Sequence, residues 1–497
     1  MPLASKFVVF IILLALAPAA VASTYVPVGD RIYDLLHRLE AEGIIQSGLL
    51  TAKPLSRKEA VRLLLEAERN SETSNAFIQG LVASLRYELR NDIEGTRFIK
   101  PVDSSYGEYL YADSDIQQLY YNNDGDHFEK GSNLRFGFNS KAELDWFSLY
   151  LNPEVRYSED DTDLVIKRAY GVLSFLGLDL QIGKDSQWWG PGYHGAILLS
   201  NNAEPFTMVR LSNPQPTLLP WIFEHLGLFR FTAFVTRLEK DRKDVPEPYL
   251  WGMRLDFKPH PYVEFGLERT AILGGKGRSE SLKTWWESFT GSSENTPGAE
   301  AGDQRAGVDL KLTLPFRFQP VQLYAEVDGE DEAGYLPTKL AYLAGIYVPR
   351  ILNLERIGFR VEYATDHVPE HPNVWYNHHI YTQGYTYNGR IIGHHMGTDS
   401  KDIFVEASYL IPEKYGKVSI SYDREEHNLS GTTRNLAPTL MPLFQKKDEV
   451  AFTAYFEVMK GLELKTYYGY GSFKNLKNIP GEDRKINIIS GVIEYHF

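Results

Sequence analysis

The residues best suited to chemistry form a stretch rich in aromatic and amide side chains. Two adjacent indoles, Trp188 and Trp189, are followed by the amide pair Asn201 and Asn202. Indole faces stack on the C–H faces of sugar rings and amides bond sugar hydroxyls, so this combination can bind carbohydrate. The same indoles can also anchor a loop against a protein wall or lie at a membrane interface. Composition alone favours packing and leaves sugar contact open.

The chain carries none of the short motifs that mark common catalytic sites. It has no G-x-S-x-G elbow, no H-E-x-x-H, no P-loop and no G-x-G-x-x-G before a helix. With no cysteine, it has no disulfide, zinc–thiolate site or thiol nucleophile. Its 13 histidines include two adjacent pairs, at 378–379 and 394–395, but neighbours in a strand point to opposite faces and do not easily share one metal ion. We therefore predict a protein that is not an enzyme, with no cofactor, no catalytic residue and no metal site.

The composition excludes a general nucleic-acid binder and favours a β protein outside the cytoplasm. The 52 basic and 65 acidic residues give a net charge of −13, whereas nucleic acid requires a basic patch. The chain holds 31 Tyr, 26 Phe and 8 Trp, and these residues suit strands and membrane interfaces. A lysine followed by an apolar run that ends in Ala-Val-Ala predicts a secretory signal peptide over residues 1–22.

The segment after the signal peptide has the period of short amphipathic helices. Apolar residues recur at helical spacing in three stretches, which begin near Ile32, Ala60 and Phe77. An S-x-x-E capping box that starts at Ser56 precedes the second stretch. We predict a compact, water-soluble helical bundle over residues 23–95, located in the periplasm.

After about residue 104 the apolar period changes to two. Phe359, Val361 and Tyr363, for example, alternate with polar and charged residues. A soluble sandwich and a transmembrane barrel both give this pattern, but the repeated charges suit a polar lumen, and a terminal amphipathic strand closes on Phe497. We predict a mainly β fold, a transmembrane antiparallel β-barrel over 104–497. At about 22 residues per strand and loop, it holds about 18 strands.

Two irregular stretches interrupt the strands, at about 184–220 and 272–303. The first contains both residue pairs described above, and the second contains the indole pair Trp285 and Trp286. Both are predicted to be surface loops or lumen plugs, where the function of such a barrel usually lies.

Three separate blocks, in order along the chain, combine Gly, Trp, Asn, Tyr and His in a distinctive way. They cover residues 183–192 with 199–203, then 274–278, 284–286 and 301–307, and then 376–381, 384–390, 392–394 and 399–400. Together with the helical segment before the strands, these blocks resemble the Wzi family of capsule-assembly outer-membrane proteins. The resemblance extends over nearly the whole chain after the signal peptide.

The resemblance implies a helical bundle at the periplasmic side of a barrel of about eighteen strands in the bacterial outer membrane. It implies a lectin-like protein that binds capsular or exopolysaccharide and helps to attach or assemble it at the cell surface. The implied partners are this polysaccharide and outer-membrane lipid, with the polysaccharide export machinery as a further candidate. Two departures from the family pattern, Lys276 and Asp303, leave the identity of the glycan open. The candidate polysaccharide-binding residues are Trp188, Trp189, Asn201, Asn202, Tyr385, Arg390 and His394.

Two other functions stay open from the residues alone. An outer-membrane channel for sugars or small solutes would use the polar lumen, although a helical domain and long loops count against an open pore. An outer-membrane hydrolase would need a Ser–His pair brought together in space, since such pairs need not be close in sequence.

Overall fold

Eighteen antiparallel strands close into one barrel, as the sequence predicts. The computed structural model describes residues 22–497 except 94–96, 116, 160, 292–301, 334–335, 432–445 and 477–478, so the predicted signal peptide lies outside the described residues apart from Ala22. The strands are β1 Arg97–Ala112, β2 Gly131–Leu144, β3 Phe147–Tyr157, β4 Thr162–Phe175, β5 Leu178–Asp185, β6 Phe206–Ser212, β7 Leu228–Arg237, β8 Tyr249–His260, β9 Val263–Leu273, β10 Gly302–Leu314, β11 Val321–Ala333, β12 Leu336–Val348, β13 Ile357–Thr365, β14 Lys401–Ile411, β15 Gly416–Glu426, β16 Lys446–Met459, β17 Leu462–Lys474 and β18 Arg484–His496. The first and last strands, β1 and β18, pair with each other and complete the ring.

The two-residue period separates an apolar outer face from a charged lumen. In β2, Phe136 points outward and is 58 % exposed, whereas its neighbour Arg135 points inward and is 2 % exposed. Arg135 pairs in the lumen with Glu108 and Asp126, at 3.3 and 3.1 Å. A wall of this kind places its hydrophobic side chains where lipid can cover them and compensates its charges inside.

The two ends of the barrel differ in the length of their connections. At one end, called here the short-turn end, hairpins such as 145–146, 176–177 and 261–262 contain two residues each. The opposite end, the long-loop end, carries the extended connections 186–205 and 366–400. Outer-membrane barrels have this asymmetry, with long loops outside the cell and short turns in the periplasm.

A helical unit lies at the short-turn end and reaches into the lumen. Its helices are α1 Ile32–Ala41, α2 Arg57–Asn70, α3 Ala76–Glu88 and the single turn α4 Arg90–Ile93. The Ser56 hydroxyl accepts a hydrogen bond from the Glu59 amide at 3.1 Å, as the capping box predicts. The apolar stripes of α1 to α3 bury one another, and Leu410 of β14 joins their core. Among the described residues no helix has the length and apolar character to cross a membrane.

One of the two predicted loop stretches needs a correction. The stretch 184–220 contains a barrel strand, β6, which pairs with β5 and β7. Prolines on both sides of β6 hide its short alternation in the sequence. The described part of 272–303 includes a further helix, α5 Leu282–Thr290, and residues 292–301 lie outside the description. The long connection 366–400 was not predicted as a loop, although the third family block falls within it.

Candidate functional site

The connection 186–205, called here the first plug loop, folds into the lumen and meets the N-terminal segment there. Trp188 and Trp189 form a short antiparallel pairing with Lys53 and Ala52. The Trp189 amide donates to the Leu199 carbonyl at 2.8 Å, which closes the loop on itself. Both indoles are buried. The first plug loop, which enters from the long-loop end, therefore meets the N-terminal segment, which enters from the short-turn end, inside the barrel.

Carboxylates of the barrel wall hold the backbone of the first plug loop. Glu362 accepts hydrogen bonds from the amides of Tyr193, His194 and Gly195, at 2.8, 3.0 and 3.2 Å. Glu326 accepts from the Ile197 amide at 2.8 Å. A buried loop leaves backbone donors without water, and these charge-assisted bonds satisfy them. The charged lumen therefore determines how the loop folds.

The connection 366–400, called here the second plug loop, fills the remainder of the long-loop end with aromatic side chains. The Tyr385 hydroxyl donates to Thr270 of the wall at 3.0 Å, and the Arg305 guanidinium lies 4.3 Å from the centre of its ring. Burial raises the pKa of Tyr385, so its hydroxyl stays protonated. Tyr376 donates to the Ile197 carbonyl at 2.8 Å and thereby joins the two plug loops.

The amide pair also joins the loops. Asn202 donates from Nδ2 to the Ile391 carbonyl at 3.0 Å. Asn201 donates to the Asn122 carbonyl at 2.9 Å and to Asp124 Oδ1 at 3.2 Å. Both asparagines are buried and use their amides on protein partners. They fix the shape of the long-loop end.

His394 belongs to the second plug loop and packs against Gly195 of the first plug loop. Its Nδ1 accepts the Met396 amide at 3.3 Å, and its Nε2 lies 3.9 Å from Asp402 of β14. A side chain at Gly195 would collide with the imidazole, so the glycine permits this close approach. Burial lowers the pKa of His394 well below its ordinary value, and the ring is neutral.

Arg390 differs from the other predicted residues because its side chain is only partly covered. It donates to the Asp126 carbonyl at 2.8 Å and to Gln117 Oε1 at 3.3 Å. Within the described part of the chain, no carboxylate lies in ion-pair distance of its guanidinium. Burial lowers the pKa of Arg390 to about 10, so the side chain is still a cation at neutral pH. It is a partly desolvated positive charge beside the half-buried Tyr387 and the exposed Asn388 of the same hairpin.

The second indole pair lies elsewhere, on helix α5 outside the lumen. Trp285 packs edge-on against Tyr249 with ring centres 5.2 Å apart. Trp286 is 64 % exposed and shares one helix face with Leu282 and Phe289. An exposed aromatic face next to the barrel wall is typical of a membrane-interface position.

The structure thus brings most of the predicted residues into one layer at the long-loop end. Trp188, Trp189, Asn201, Asn202, Tyr385 and His394 are buried in it, and Arg390 borders the outside. Tyr193, His194 and the wall carboxylate Glu362 also belong to this layer and are not among the residues predicted from the sequence. The only signal for Glu362 was its place on the polar face of an alternating strand.

Comparison with known proteins gives matches of sequence and fold. A family model described as "Capsule assembly protein Wzi" matches residues 106–487. An uncharacterised 55.8 kDa protein in the cps region of Klebsiella pneumoniae is 29 % identical over 319 residues, which cover 62 % of this chain and 58 % of that protein. Its match therefore spans less than two thirds of the relative. Escherichia coli Wzi, described as a carbohydrate-binding outer-membrane β-barrel involved in group 1 capsule assembly, has a similar fold. Its TM-score is 0.76 at 23 % identity, over 96 % of this chain and 100 % of that chain.

Proposed function

We infer the function from the site together with the fact that this chain belongs to the Wzi family of capsule assembly proteins. We propose a lectin-like protein of the bacterial outer membrane, with the helical unit in the periplasm. It binds capsular or exopolysaccharide at the long-loop end and helps to attach or assemble it at the cell surface. The proposed role is binding, and no chemical step on the glycan is part of it.

The observation that carries the proposal is the filling of the lumen by the two plug loops. Trp189 of the first loop pairs with Ala52 of the N-terminal segment, and Tyr385 of the second loop bonds the wall. An open channel needs a continuous aqueous path, whereas these contacts place packed side chains across it. The same packing gives the long-loop end a fixed surface. A fixed surface suits binding because little conformational entropy is lost when the glycan docks.

The buried candidates and the exposed ones have different proposed roles. Trp188, Trp189, Asn201, Asn202 and His394 hold the layer, and Tyr385 anchors the second plug loop. Tyr387, Asn388 and Arg390 form the outer edge that contacts sugar. A Tyr ring stacks on a pyranose face, and a guanidinium without an acidic partner bonds the carboxylate of an acidic sugar. Many weak contacts along a repeating polymer add up to useful avidity.

Two measurements on one sample test the proposal. The protein is folded in detergent and its binding to polysaccharide from its own host is measured, while planar bilayers record its conductance. We expect binding without conductance. Conductance without binding would support the channel instead. A deletion strain that retains all of its surface polysaccharide would contradict the attachment role.

The substitution Arg390→Gln should weaken binding of an acidic polysaccharide about tenfold, which corresponds to about 1.4 kcal/mol for one charged hydrogen-bonded contact. The charge is lost while the length of the side chain is largely kept. The binding that remains should depend less on salt, because one screened ion pair has been removed. Titration of the immobilised polymer at two salt concentrations measures both effects.

The matched control is Lys240→Gln, which removes an equal charge from an exposed position on a neighbouring loop. It should bind like the unsubstituted protein. Equal losses in both variants would show that net charge, and not the Arg390 site, attracts the polymer.

A further inference from the structure

Two histidines from different plug loops converge on one aspartate of the barrel wall. His194 Nε2 lies 3.4 Å from Asp402 Oδ2, and His395 Nε2 lies 3.5 Å from the same oxygen. One ligand atom of each residue falls within 4.8 Å of the other two. The three side chains are 5 %, 3 % and 2 % exposed, so the cluster is shielded from water.

Glu425 also approaches this cluster, with its Oε1 3.4 Å from His395 Nε2. His194 Nε2, both ring nitrogens of His395 and both Asp402 oxygens have no hydrogen-bond partner among the described residues. Lys447 lies in the same cluster and pairs with Asp423 at 2.7 Å and with Glu425 and Glu449. A buried carboxylate is costly unless a cation compensates it, and Asp402 is faced by imidazoles together with two further carboxylates, Asp423 and Glu425.

The geometry fits a metal ion better than direct hydrogen bonds. Separations of 3.4 and 3.5 Å exceed ordinary nitrogen–oxygen hydrogen bonds. Ligands bound at about 2.0–2.1 Å to one tetrahedral zinc ion lie about 3.3 Å from each other, close to these values. Stacking orients both rings, because His194 lies on Phe404 and His395 lies on Tyr121, each with ring centres 3.9 Å apart.

We propose that His194, His395 and Asp402 form a structural site for a divalent transition metal, with Zn²⁺ as the fitting ion. Two imidazoles and a carboxylate are the donor set that zinc accepts in proteins. The fourth position is open to water or to Asp423, whose Oδ1 lies 3.6 Å from His194 Nε2. Bound metal would fasten both plug loops to strand β14.

His394 is outside the ligand set for a specific reason. Its Nδ1 accepts the Met396 amide, so in the neutral ring the proton lies on Nε2, the atom directed toward Asp402. The sequence predicts opposite faces for His394 and His395, but both lie in a loop, where their rings stack with centres 4.5 Å apart. The proposed site pairs His395 with His194 of the first plug loop.

Metal content of the tag-free, full-length protein tests the proposal. Protein purified without a histidine tag is stripped with a chelator, equilibrated with ZnCl₂ and freed of excess metal. We expect one zinc per chain by mass spectrometry, and Co²⁺ in its place should give visible absorption bands from nitrogen and oxygen ligands. His395→Ala and Asp402→Asn should each weaken zinc binding at least tenfold.

The matched control is His379→Ala, because His379 is an exposed histidine of the same plug loop. It should retain one zinc per chain. Migration of unheated samples in gels reports whether each variant is folded. If a site variant does not fold, the zinc content and cobalt spectrum of the unsubstituted protein decide the question. An unsubstituted protein that binds no zinc at micromolar free metal, or zinc that is lost only in His379→Ala, overturns the proposal.

Discussion

The substitution Glu40→Ala should lower the free energy of unfolding by about 3–5 kcal/mol and release the helical unit from the barrel. Glu40 of α1 is fully buried at the short-turn end. Its carboxylate lies 2.9 Å from Lys258 and 2.8 Å from Lys311, and it accepts from Gln322 at 3.1 Å. Without Glu40, two buried lysines of the wall lose a shared partner, and among the described residues Glu264 is the carboxylate that remains within ion-pair distance of both.

Limited proteolysis of the helical unit and urea unfolding of the folded protein measure this effect. The matched control is Glu68→Ala, which breaks the exposed ion pair with Arg86 and should cost no more than about 1 kcal/mol. Equal effects of the two substitutions would show that the buried pair does not hold the unit.

The contribution of Glu40 should also depend on pH. Burial alone would raise the pKa of Glu40, but Lys258 and Lys311 outweigh burial and lower that pKa to about 2. A carboxylate with a lowered folded pKa stabilises the protein above its unfolded pKa of about 4.3, and loses this effect as the pH falls toward 2. The difference in stability between the protein and Glu40→Ala should therefore be constant near neutral pH and shrink between about pH 4 and pH 2.

The substitution Trp189→Ala should detach the first plug loop and make the barrel conduct ions. Trp189 is fully buried, its ring lies 5.4 Å from that of Phe234, and its backbone pairs with Ala52. Loss of a buried indole costs about 3–5 kcal/mol. This is comparable to the free energy needed to open one loop that is held by such contacts. Planar bilayers should show new, fluctuating conductance, and polysaccharide binding should fall because the loop layer loses its shape.

Trp286→Ala is the matched control for this prediction. It removes the same side chain from an exposed position on α5. Conductance should stay absent and stability should change by less than about 0.5 kcal/mol. A silent Trp189→Ala barrel that still binds polysaccharide would show that the first plug loop is held mainly by its wall carboxylates.

Local patterns in the sequence determined the elements of this protein. The two-residue period identifies barrel strands such as β13 because the face of each side chain depends only on its position along the strand. The capping box at Ser56 locates the start of α2 for an equally local reason, since it joins residues three positions apart. Strand β6 escaped detection because it is short and lies between prolines.

The candidate site was determined only by the tertiary structure. Motif residues such as Trp189 and Asn202 could be recognised by type, but nothing local shows whether they face glycan or fill a lumen. Glu362 reaches the amides of a loop 167 to 169 positions away, and His194 meets His395 rather than a neighbour in sequence. Such contacts depend on closure of the barrel, which places distant loops in one small buried volume. In that volume each buried polar group needs a hydrogen-bond partner. Which partner it meets depends on the tertiary fold and not on its neighbours in the sequence.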